Sequence, residues 1–96
     1  MKEIMLLVTY KLKPQAREYF LGEVAAAEIL QKTRREDGAL RYDYYLSAAD
    51  ADAVLLVERW SSAEGQAAHL QTAHIVKLKR IKEKYVLETV VEKFEM

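Results

Sequence analysis

The chain has no cysteine, one proline, three glycines and one tryptophan among its 96 residues. Without thiols it can form no disulfide, no thiolate nucleophile and no thiolate-ligated metal site. Net charge is also missing, because fifteen basic residues balance fifteen acidic ones. A general nucleic-acid binder needs a surplus of positive charge facing phosphate, so no nucleic-acid partner is expected. Long hydrophobic runs are absent too. The apolar part of the opening stretch, MKEIMLLVTYKLKP, is too short to span a bilayer and lacks a small-residue cleavage site. No membrane partner and a cytoplasmic address are expected.

What is present suits a folded domain. Apolar residues make up 51% and charged residues 31% of the chain, a globular rather than a disordered balance. Its length predicts a single domain over residues 1–96. A domain this small buries only about 60–65% of its unfolded surface, so a partner surface would add stability.

Hydrophobic periodicity sets the order of elements. Glu3–Leu12 alternates, with Ile4, Leu6, Val8, Tyr10 and Leu12 on one face and Met5 and Leu7 on the other. Pro14 suits a first helical position, and Phe20, Val24, Ala27 and Leu30 predict one long helix to about Arg35. Asp37-Gly38 stops it. Ala39–Ser47 and Ala53–Trp60 read as strands joined by the AADAD loop. Ser61 and Glu64 have the spacing of a capping box, opening a helical region that runs to about Tyr85 with a break near Gln71–Ala73. Val86–Met96 alternates again as a last strand.

The order β-α-β-β-α-β predicts an α+β, ferredoxin-like fold with an antiparallel sheet and both helical segments on one face. The first and third strands are apolar on both faces, so something must cover the second. A second copy of the sheet is the economical choice, and a homodimer packed sheet to sheet is expected.

Three short motifs carry chemistry: Gly38-x-x-x-Tyr42, Glu58-x-Trp60, and His69 followed five residues later by His74. On this element order they resemble the antibiotic biosynthesis monooxygenase superfamily of dimeric α+β barrels, which includes quinol monooxygenases. The resemblance spans most of the chain. It implies oxidation of a small aromatic substrate (a quinol, anthrone-like phenol or naphthol) by molecular oxygen, with no cofactor. Deprotonation makes such a ring its own reductant, so the protein need only bind it, take a proton and exclude water. Heme-degrading members use an asparagine, a tryptophan and a histidine. This chain has His69 where those carry a second tryptophan and Lys79 near their histidine, which disfavours heme oxygenation. A non-catalytic ligand-binding barrel and an isomerase on the same scaffold are the alternatives.

His69 is the expected catalytic base, since imidazole is the side chain that changes charge near neutral pH. Its position on the helix leaves two readings open. An inward face of Ala63, Ala67 and Leu70 would put His69 at the surface, whereas one of Gly65, Ala68, His69 and Thr72 would put it inside. Trp60 is expected as a pocket wall, Glu58 as a half-buried carboxylate beside it, and Tyr44 and His74 as substrate contacts. Gly65 and Gln66 are expected to loosen or widen the pocket. No metal is expected, because the two histidines are five residues apart and the sequence shows no third ligand.

Overall fold

The computed structural model describes residues 2–96. Its strands are β1 (Ile4–Leu12), β2 (Ala39–Leu46), β3 (Ala53–Trp60) and β4 (Val86–Glu95), and its helices are α1 (Arg17–Ala26), α2 (Ile29–Arg34), α3 (Ala63–His69) and α4 (Ala73–Tyr85). The strands form one sheet in the order β2-β3-β1-β4, and every neighbouring pair is antiparallel. This is the expected ferredoxin-like α+β arrangement.

Period-two alternation sorts the sheet into two faces. Ile4, Leu6, Val8 and Tyr10 of β1 lie opposite Trp60, Glu58, Leu56 and Val54 of β3, and all eight are buried on the helix side. Phe20 and Val24 of α1 and Ile75, Leu78 and Ile81 of α4 close over them. The other face carries Met5, Leu7, Leu55 and Val57, with Val90 and Phe94 of β4 beside them.

Three local expectations need correction. The helix does not begin at Pro14. Gln15 takes a left-handed φ of 64° and gives its N–H to the Asp52 carboxylate at 2.9 Å, so the helix starts at Arg17. Nor does it run unbroken to Arg35. Glu28 adopts φ 55° and ψ 37°, which redirects the chain so that Ile29 and Thr33 are buried while Leu30 is only half-buried. Finally, the cap of α3 is Ser62 and not Ser61. Ser62 is extended and its hydroxyl accepts the Gly65 N–H at 3.2 Å, whereas the Ser61 N–H goes to the Gly38 carbonyl at 2.8 Å. The expected break near Gln71–Ala73 does separate α3 from α4. Among the described residues, no helix is long and apolar enough to cross a membrane.

Candidate active site

β3 ends in Glu58-Arg59-Trp60, so Glu58 and Trp60 share the helix-covered face. Trp60 is fully buried and its indole Nε1–H donates to Glu58 Oε1 at 3.1 Å. Glu58 is itself buried, and that burial pushes its pKa up. The Trp60 hydrogen bond works against the shift, as do the charges of His69 and Lys82.

His69 is 2% exposed. The inward side of α3 therefore carries Gly65 and His69, with half-buried Thr72 just beyond its end; Ala68, expected on that side, is exposed, as are Ala63, Ala67 and Leu70. The imidazole packs 4.8 Å from the Trp60 ring and 5.4 Å from the Tyr42 ring, centroid to centroid. Its Nδ1 lies 2.7 Å from Glu36 Oε2, and the same oxygen is 2.8 Å from His74 Nε2. An ionised Glu36 thus accepts from both rings. This fixes the Nδ1–H tautomer of His69 and leaves its Nε2 lone pair free.

Glu36 is the group that the sequence did not reveal. It lies in the turn after α2, 33 residues from His69 and 38 from His74. Two glycines bring it there. Gly38 has φ +83°, and a Cβ on it would stand 2.9 Å from Ser61 Oγ. A Cβ on Gly65 would meet the Asp37 carbonyl at 3.2 Å, which is tight. The expectation that Gly65 loosens the pocket is therefore corrected: it lets α3 press against the loop that carries Glu36.

A cavity of about 260 Å³ lies between the sheet and helices α3 and α4. Leu6, Val8, Leu56, Ile75 and Leu78 form its apolar walls, and Glu58, His69, Tyr10, Tyr42, Gln66 and Lys82 give it polar groups. Of the site residues read from the sequence, His69 and Glu58 line this space. Trp60 stands behind them, bracing both. His74 is the second residue of α4 and joins the site through Glu36. Tyr44 lies outside it: its ring packs against Tyr10, Phe20 and Tyr42, and it lines a separate hollow with Leu21, Val24 and Leu30. Burial pushes the phenol pKa values of Tyr10, Tyr42 and Tyr44 up, so these rings stay protonated at neutral pH.

Glu36, His69 and His74 also form the one group of three metal-capable side chains among the described residues, with ligand atoms within 4.8 Å of one another. The third donor that the sequence did not show is thus Glu36. The carboxylate oxygen stands 2.7 and 2.8 Å from the two nitrogens. Ligands around one tetrahedral ion would stand roughly 3.3 Å apart, so the observed spacing is that of hydrogen bonds.

The sheet order and the imidazole–carboxylate pair beside an apolar cavity define an α+β, ferredoxin-like protein with a buried imidazole–carboxylate pair. The chain belongs to the antibiotic biosynthesis monooxygenase family, whose sequence pattern matches residues 3–80. It is similar to YcnE of Bacillus subtilis (strain 168), a protein assigned as a monooxygenase, with 32% identity over 71 residues, 74% of this chain and 73% of that one. Among solved structures, a conserved protein of unknown function from Bacteroides thetaiotaomicron VPI-5482 is 32% identical, with a TM-score of 0.86 over 99% of this chain and 98% of that one. PA3566 from Pseudomonas aeruginosa shares the fold, with a TM-score of 0.89, 21% identity and coverage of 100% and 95%.

Proposed function

We propose that the chain is a cofactor-independent monooxygenase that oxidises a small quinol-like or phenolic aromatic with molecular oxygen. The observation that supports this most is a single imidazole, its outer nitrogen pinned by Glu36, facing an apolar cavity of about 260 Å³. That volume sits near the small end for ligand sites and suits one or two fused rings.

In this reading His69 Nε2 takes the phenolic proton, and Glu36 stabilises the imidazolium that forms. The ring anion passes one electron to triplet oxygen, and the aryloxyl and superoxide radicals combine through a new carbon–oxygen bond. His69 returns its proton to the outer peroxide oxygen. The C–H bond at the oxygenated carbon then breaks, its electron pair forms the carbonyl as the O–O bond opens, and the departing hydroxide takes up this second proton through His69. One oxygen atom stays as a ring carbonyl and the other leaves as water, so a phenol plus O₂ gives a quinone plus H₂O. The apolar walls and the packing of Trp60 and Tyr42 against His69 keep water from the radicals. Oxygen-electrode measurements with a panel of naphthoquinols, phenols and anthrones test the assignment. One O₂ consumed per ring oxidised, unaffected by chelator, is the expected result. Tight binding with no oxygen consumed would instead mark a non-catalytic ligand-binding protein, and turnover without oxygen an isomerase.

The working unit in this proposal is a homodimer. Helices cover only one sheet face, and on the other Val90 and Phe94 remain 47% and 41% exposed beside half-buried Met5, Leu7 and Leu55. An apolar patch of this kind, with Arg59, Glu92 and Asp43 interspersed on the same face, is a partner surface on a small domain, and a second copy makes a self-complementary one. Light scattering should give twice the chain mass, and Leu7→Glu, which puts a charge in the middle of that face, should give the monomer. A monodisperse monomer for the unaltered chain would refute the dimer.

A further inference from the structure

Lys79 and Lys82 are three residues apart on α4, hence on one helical face, and both line the cavity. The cavity follows β1 from Leu6, which pairs with Glu58, to Tyr10, which pairs with Val54. The four steps from Leu6 to Tyr10 span about 13 Å of strand. His69 packs near the Glu58 end, against Trp60 and Tyr42. At the other end Lys82 Nζ sits 4.8 Å above the centre of the Tyr10 ring.

Lys82 is only partly exposed, yet no carboxylate lies within ion-pair distance of it or of Lys79 among the described residues. Its neighbours differ. Lys84 is paired with Glu23, and Lys11 with Asp50. Burial and then Lys79 push the Lys82 pKa down, and the charge of Glu58 opposes them. A second hollow on the outer side shares Lys79, Lys82 and Thr89 with the cavity, and Glu83 and Glu88 line that outer side. A half-buried ammonium over an aromatic ring, next to a second ammonium and without an ion-pair partner, is a built seat for an anion.

Resting on the reading of this cavity as the substrate site, we infer that the aromatic compound it takes carries an anionic oxygen group, held by Lys82 with Lys79 behind it. The reacting phenol then lies toward His69, at the opposite end. The substituent orients the ring, and Lys82 is a specificity-determining residue that takes no part in proton transfer.

Calorimetric titration of the full chain tests this without requiring turnover. The probes are 5-hydroxy-1-naphthoate, 1-naphthyl phosphate and neutral 1-naphthol. At least one anion is expected to bind tenfold or more tightly than 1-naphthol at low salt, with the advantage shrinking as KCl is added. The two anions separate a carboxylate seat from a phosphate seat. Lys82→Met should reduce the advantage to within about twofold, and Lys82→Arg should retain it. Equal binding of all three probes, no binding of either anion, or an advantage that survives in Lys82→Met would overturn the inference. If Lys82→Met loses the neutral probe as well, Lys82→Arg decides: retained preference supports the inference and lost preference overturns it. Anion preference without oxygen uptake on any substrate would sink the monooxygenase assignment alone. Oxygen uptake on neutral quinols without anion preference would sink the anion seat alone.

Discussion

His69→Ala is expected to lower oxygen uptake by roughly 10²- to 10⁴-fold, the range that general-base catalysis supplies. The loss should appear in kcat, because the apolar walls that bind the ring remain in place. Glu36→Gln separates positioning from chemistry. The amide still reaches both imidazoles, but it can present an N–H to His69 Nδ1 as readily as an oxygen. It therefore no longer enforces the Nδ1–H tautomer, and no longer offers a negative charge to the imidazolium. Glu36→Gln should therefore reduce kcat by less than His69→Ala while leaving KM for the ring unchanged, a split that a purely structural loss would not give. If His69→Ala consumes oxygen at the unaltered rate, the base lies elsewhere. Glu58 would be the next candidate, as it is the one carboxylate lining the same cavity.

The fold was legible because alternation and helical spacing are local. Ile4 to Leu12, Ala53 to Trp60 and Ile75 to Ile81 each announce a buried face within one element, and the structure buries those faces. The two misplaced boundaries have a common cause. Gln15 and Glu28 adopt left-handed backbone without being glycine or asparagine, so neither carries the usual sign of a turn. The tertiary position of Asp52 and the burial of Ile29 hold them there. The site was half legible. His69, Glu58 and Trp60 stand out as residue types placed at element ends. Glu36 did not, because its role depends on a loop docking against α3 from 33 residues away. The one trace of it in the sequence is Asp37-Gly38, which marks a turn there but does not say what the preceding side chain meets. Tyr44 shows the reverse error. It shares a strand face with Tyr42, yet opposite Leu56 its ring packs against Phe20 of α1, to the side of the cavity.

Trp60→Ala should destabilise the domain by about 3–5 kcal/mol, the usual range for deleting a fully buried large aromatic. Domains of this size have total stabilities of only about 5–15 kcal/mol, so this variant approaches the limit of folding. Trp60→Phe dissects the effect. Phenylalanine keeps most of the packing against His69 but removes the N–H that reaches Glu58, and an unpartnered buried acceptor costs about 1–3 kcal/mol. That penalty should depend on pH, and the sign follows from Glu58. Burial already raises its folded-state pKa above the unfolded one, so the folded chain binds this proton more tightly and loses stability as pH rises through that window. The Trp60 N–H favours the charged carboxylate and holds the raised value down. Without it the folded pKa climbs further and the loss on raising the pH becomes larger. Urea unfolding followed by circular dichroism, since the variant has no indole to report, should show Trp60→Phe close to the unaltered chain at the acid end of the ordinary carboxylate range. The gap should widen toward neutral pH. In a Glu58→Gln background the same substitution should give a gap that does not change with pH, because no charge remains for the indole to stabilise. A gap that is pH-independent in both backgrounds would mean that the indole contributes bulk alone, and that Glu58 is neutral in the folded chain across the whole range.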